Sequence, residues 1–175
     1  LVSVECLKKL HGAGLDEVRF HPDFDDEKYW QKLMKALDFD WDVGVEVPVI
    51  PDKKARMKRL ADFIEDCNKK FKAKYGGPAC NKSRIFLNLN ELEIPDNSFH
   101  KMKGYSTRNS LTYAVDGSIE AGLEIISYIH EKGYGIDVHL CTAKTKDAYQ
   151  LANRLKRRAG KMARPFDKID SEGLL

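Results

Sequence analysis

A chain of 175 residues, 42% hydrophobic and 33% charged, holds enough apolar material for one substantial core, and its net charge is only +3. No apolar run reaches the roughly eighteen residues of a membrane-spanning helix, and the first residues lack the charged-then-apolar pattern of a secretory leader, so a soluble cytoplasmic protein without a membrane partner is expected. Four scattered cysteines (Cys6, Cys67, Cys80 and Cys141) fit no zinc or iron–sulfur spacing and are expected as small buried hydrophobes.

The chain opens on Leu1 in an amphipathic pattern (Val2, Val4, Leu7, Leu10, Leu15), which predicts a helix over 1–12 ended by Gly12 and Gly14 and a chain entered mid-fold. A strand over 16–23 follows. Residues 26–39 read as a helix with Tyr29, Leu33, Ala36 and Leu37 on its apolar stripe, Trp30 and Met34 beside it, and Asp25 or Asp26 as cap. The next strand, 41–52, alternates Val43, Val45, Val47 and Val49 against Gly44, Glu46, Pro48 and Ile50; Pro48 lacks a ladder donor and marks an edge or an end. A long helix over 53–77 buries Met57, Leu60, Ala61, Ile64 and Phe71 and stops at Gly76 and Gly77. Residues 84–97 give a third strand, with Ile85, Leu87 and Leu89 opposite Phe86, Asn88 and Asn90.

Residues 94–117 show no periodicity, and a loop that long in a compact domain is expected to be a lid or binding loop. A helix over 118–131 with Ser118 as N-cap, a strand at 136–141 and a basic helix from Thr145 to about Ala163 complete the pattern. The fold class expected is α/β, the C-terminal portion of a partial (β/α) TIM-type barrel with parallel strands. Residues 1–163 form the domain, truncated at its N-terminus, and 164–175 a loosely held tail. Four strands do not close a barrel, and the exposed sheet edge would pair with another copy in a homodimer.

Barrel chemistry sits at strand C-terminal ends, where Arg19, His21, Glu46, Asn88, Asn90, Glu91 and His139 would converge. His21, Glu46 and His139 could serve a zinc or manganese ion, as in a metal-dependent barrel hydrolase or isomerase, but no HxH or HExxH spacing supports a metal site. Thr142, Lys144, Thr145 and Lys146 gather at a helix start, where free amides attract anions. The basic run Arg154, Lys156, Arg157, Arg158, Lys161 and Arg164 reads first as a solvated helix face. It leaves nucleic acid open without indicating it, because no aromatic residues interleave the cations. A non-catalytic βα binding module is the remaining alternative.

The runs AGLDEVRFHP, GVEVPVIPD and FLNLNELEIPDNSFHKMKGY, in this order over about residues 5–105, resemble the later strands of radical S-adenosylmethionine proteins, in particular archaeal relatives of the pyruvate formate-lyase activating enzyme. The resemblance implies a partial (β/α) barrel in which Arg19 and His21 meet the cofactor from the family's fourth strand, Glu46 and Pro48 from its fifth, and Asn88, Asn90 and Glu91 from its sixth. It further implies reductive cleavage of S-adenosylmethionine by a [4Fe-4S] cluster in the intact parent. The three-cysteine loop for that cluster and the Gly-Gly-Glu strand end are absent here, so this chain alone is expected to be inactive. His100, Lys101, Lys103, Tyr105 and Arg108 of the loop would cover the site and touch the substrate.

Overall fold

The two sides of each strand differ in chemistry, and that difference decides how the sheet is dressed. In a computed structural model that describes residues 3–75, 85–94, 100, 102–109 and 113–174, four parallel strands lie in the order β1 (Glu17–Phe20), β2 (Asp42–Val49), β3 (Ile85–Glu91), β4 (Val138–Cys141). Sequential parallel neighbours mean that each crossover steps the same way. This is barrel winding, not the reversal of a doubly wound sheet, and the fold is α/β with a partial (β/α) barrel sheet as expected.

The alternation of β2 and β3 is borne out. Val43, Val45, Val47, Val49, Ile85, Leu87 and Leu89 are all buried, and α3 (Lys54–Tyr75) and α4 (Ser118–Glu131) pack on that face. Met57, Leu60, Ala61, Ile64 and Cys67 of α3 join Ala121, Ile125 and Ile129 of α4 in one cluster with it. Cys67 and Cys141 are buried as expected, whereas Cys6 on α1 (Val4–Gly12) is exposed. Cys80, Gly76 and Gly77 lie outside the described residues. Pro48 sits in a strand paired on both sides, but β1 reaches only to Val45, so the side it leaves has no ladder for the missing N–H to break.

Three expectations need correction. The segment 26–39 is no continuous α-helix: a 3₁₀ turn (Glu27–Lys32) leads into a single α-turn, α2 (Leu33–Ala36), with Asp26 capping the start by accepting from the Lys28 amide at 3.0 Å. In a 3₁₀ turn residues three apart eclipse, so Trp30 and Leu33 share the buried side and Tyr29 swings out to 42% exposure. The helix after β4 begins earlier than Thr145: Thr142 is the N-cap, its Oγ1 accepting from the Thr145 amide, and α5 (Ala143–Thr145), a π turn (Lys146–Leu151) and α6 (Ala152–Met162) follow.

Ser118 is not a cap either. Gly117, in the left-handed region at φ 76°, takes the N-cap position, and Ser118 is fully buried in the first turn of α4. Its Oγ donates to the Val49 carbonyl and accepts from the Leu92 amide, both at 2.9 Å, so one hydroxyl ties the ends of β2 and β3 to α4. Ser118→Ala orphans both backbone groups. We expect it to cost about 2 kcal/mol, read as a lower denaturant midpoint at unchanged slope; a loss under about 0.5 kcal/mol would contradict the tie.

Between α3 and α4, the Glu124 carboxylate accepts from Lys54 Nζ at 2.6 Å and Lys58 Nζ at 2.7 Å, and these bonds hold its pKa down to about 2 from an ordinary 4.5. A depressed folded value means the bridge is complete above pH 4.5 and is lost as pH falls toward 2. A carboxyl ¹³C titration of Glu124 should show a midpoint well below 4.5. A midpoint at 4.5 would mean that the two lysines do not hold the carboxylate in solution. Behind α6, the tail turns back on Asp170, and Gly173 is seated so tightly that an added Cβ would lie 2.3 Å from the Lys156 backbone nitrogen.

Candidate functional site

Strand parity sends Arg19, Gly44, Glu46, Pro48, Phe86, Asn88, Asn90 and His139 to the sheet face opposite the core cluster. The register sets Glu46 beside Asn88, Pro48 beside Asn90 and Asn88 beside His139. There the polar groups satisfy one another. Asn90 Nδ2 donates to Glu46 Oε1 at 2.7 Å, Arg19 Nη1 donates to Glu46 Oε2 at 3.1 Å, and Asn88 Nδ2 reaches Asn90 Oδ1 at 3.5 Å. Glu17 takes the Arg19 Nε at 2.6 Å. The result is a hydrogen-bonded row across three parallel strands, with Asn88 buried and Glu46 22% exposed.

The electrostatics follow from that row. Burial works against ionising Glu46, but the bonds from Asn90 and Arg19 together outweigh it and hold the carboxyl below its usual range. The bonds to Glu17 and then Glu46 push the Arg19 guanidinium up in turn. Beside the row an apolar patch is built by a strand glycine: a Cβ at Gly44 would fall 2.4 Å from Phe86 Cζ, so only glycine lets that ring lie over β2, with the Arg19 guanidinium 5.5 Å from its centroid. Phe86 and Gly44 were not singled out from the sequence, although an isolated glycine inside a strand is the signal for such a close approach.

His21 lies just past β1 and, with Arg19, Pro22, Tyr29, Trp30 and Lys32, lines a cavity of about 450 Å³ at the same rim. His139 is exposed on β4. Among the described residues no group of three or more His, Cys, Asp or Glu side chains is arranged to hold a metal ion, so His21, Glu46 and His139 are not gathered as ligands.

Glu91 is set apart from Asn88 and Asn90. It shares the parity of Leu89, points to the helix side and is buried at 3% exposure. Its Oε2 accepts from the Ala143 amide at 2.7 Å and its Oε1 makes an ionic contact with Arg108 Nη2 at 3.0 Å. The four residues of the expected anion site do come together, but the anion at that helix start is Glu91 itself. Thr142 and Thr145 bond each other at 2.9 Å, Lys146 Nζ donates to the Glu91 carbonyl and to Glu93, and Lys144 is exposed.

The loop after β3 is fastened across the strand ends. Bridges pair Glu93 with Ala114 and Thr107 with Val115. Tyr105 donates its hydroxyl to Asp52 at 2.6 Å, a bond that raises the phenol to about 12. Lys103 lines a recess of about 380 Å³ with Asp52, Tyr105 and Asp116, and His100 is exposed. Lys101 lies outside the described residues.

No protein-family model matches the chain. A protein of Methanocaldococcus jannaschii named as a glycyl-radical enzyme activating enzyme is 33% identical over 185 aligned residues, which cover 99% of this chain and 44% of that protein. The chain thus spans less than half the length of the relative it matches.

Proposed function

We propose that this chain is the S-adenosylmethionine-binding portion of a radical enzyme that activates a glycyl-radical protein. The observation that carries the reading is the row Arg19–Glu46–Asn90–Asn88, bonded across three parallel strands on the face opposite the core. The name of the M. jannaschii relative supplies the reaction class, and a protein would be the substrate.

The residues of that face suit S-adenosylmethionine. Arg19 offers a guanidinium to a carboxylate, Glu46 and the Asn88 and Asn90 carbonyls offer acceptors to an ammonium and to ribose hydroxyls, and Phe86 offers a ring face for the adenine. The cluster's ligands are another matter: among the described residues Cys6, Cys67 and Cys141 stand apart on α1, α3 and β4 and form no set for it. When bound, the cluster and S-adenosylmethionine together supply the one-electron chemistry. This chain's residues would bind and orient the nucleoside and amino-acid ends, and the strap 102–109, pinned by Tyr105 and Arg108, would limit access of water.

The test is anaerobic. Protein expressed from the full reading frame, reconstituted with iron and sulfide and reduced with dithionite, is expected to convert S-adenosylmethionine to methionine and 5′-deoxyadenosine. Absence of both products at full cluster occupancy would overturn the reading, as would calorimetry showing no S-adenosylmethionine binding by that reconstituted protein.

A further inference from the structure

The strongest charge asymmetry in the molecule lies away from the proposed cofactor face. Residues 144–164 carry eight lysines and arginines against one carboxylate, Asp147, a local charge of +7 in a chain of net +3, so the remainder is net −4. Among the described residues Arg154, Arg157, Arg158 and Lys161 have no carboxylate within ion-pair distance. The helix that bears them, α6, runs on from the π turn, and the tail closes over it at Gly173.

Along the same stretch runs an apolar groove of about 580 Å³, floored by Ala148, Leu151, Ala152 and Leu155, with Lys144 and Asp147 near one end and Glu172 of the tail near the other. Leu151 is 48% exposed and Met162, one further step along the stripe, 65%. Spacings of four and seven residues put Leu151, Leu155 and Met162 in one row and Arg154, Arg158 and Lys161 in the row beside it. The π turn supplies part of the floor, and such turns recur at functional positions because the wider ring sacrifices regular packing.

We propose that the groove along the π turn and α6 is a docking surface for an acidic amphipathic helix of a protein partner. Its apolar side sits on Leu151 and Leu155, and its carboxylates meet Arg154 and Arg158. A second copy of the chain is a poor occupant, since a two-fold contact would set +7 against +7. A bilayer is flat where this floor is concave, and a nucleic-acid backbone gains nothing from an apolar floor. The surface adjoins the strand ends, because Ala143 at the groove's start holds Glu91 of β3, so a docked protein would approach the rim from the side of β4. The inference does not depend on the cofactor reading.

The experiment is fluorescence anisotropy with two dye-labelled synthetic peptides of identical composition. One carries leucines at i, i+3, i+4 and i+7 and glutamates elsewhere; the other scatters the leucines around the helix. The ordered peptide is expected to bind at least about tenfold more tightly than the scattered one. Leu151→Ser and the pair Arg154→Glu, Arg158→Glu should each weaken it by about tenfold with unchanged circular dichroism, all three side chains being exposed. Equal binding of the two peptides would reduce the effect to bare charge and overturn the proposal. So would tighter binding to phosphatidylglycerol vesicles or to duplex DNA than to the ordered peptide.

Discussion

Arg108→Leu is expected to destabilise the protein by about 3 kcal/mol, roughly twice the loss from Glu91→Gln at the other end of the same ion pair. The asymmetry comes from burial. The Glu91 side chain is 2% exposed, so removing its cationic partner strands a carboxylate whose Oε1 has no other partner among the described residues. The Arg108 side chain is 35% exposed and can return to water when the carboxylate goes. Glu91→Gln keeps an oxygen for the Ala143 amide and gives up the charge and the oxygen that face Arg108, whose guanidinium can turn to water. We place the arginine variant at the low end of the range for broken buried pairs because its guanidinium is only part-buried. Chemical denaturation decides it, and the double variant Arg108→Leu, Glu91→Leu should recover part of the loss. If Glu91→Gln proved the more damaging single change, compensation of the buried Glu91 charge by Arg108 would not be what stabilises this corner of the fold.

How much of this was legible in the sequence depended on which signal a residue carried. The valines of β2 and the Ile85–Leu87–Leu89 row were readable because period-two alternation has no other regular interpretation, and with them came the sheet's two faces. Tyr29 and Trp30 exchanged roles because an apolar stripe over six residues does not separate 3₁₀ from α geometry, and the two differ by enough rotation to swap neighbours. Ser118 is a good cap by residue type. Its actual partners, Val49 and Leu92, are 69 and 26 residues away, and no local pattern reports such distances. Glu91 was misleading for a different reason: the family resemblance groups it with Asn88 and Asn90, while its parity with Leu89, visible in the sequence, assigns it to the other face. Only long-range geometry shows that this carboxylate fills the very helix start where an external anion was expected.

Glu46→Leu in the full-length, cluster-loaded protein is expected to lower S-adenosylmethionine cleavage by about a hundredfold while moving the unfolding midpoint little. Glu46 joins two otherwise separate donors. Without it Arg19 keeps Glu17 and the Phe86 ring, and Asn90 keeps the long bond from Asn88, so a ligand must fix both loosened side chains as it binds. Glu46→Gln should fall between, at about tenfold, since its carbonyl still accepts from Asn90 while the guanidinium loses its counter-charge. If the row positions the ligand and takes no part in bond breaking, the loss should appear first as weaker S-adenosylmethionine binding by calorimetry. Acid supplies an independent check. The Glu46 pKa is depressed, so the row is intact throughout and above the usual carboxylate range and comes apart only as pH falls below it, through the lowered value. Wild-type binding should therefore persist at a pH where a free glutamate is half protonated. A Leu variant that bound S-adenosylmethionine as tightly as the wild type would remove the row from the site altogether.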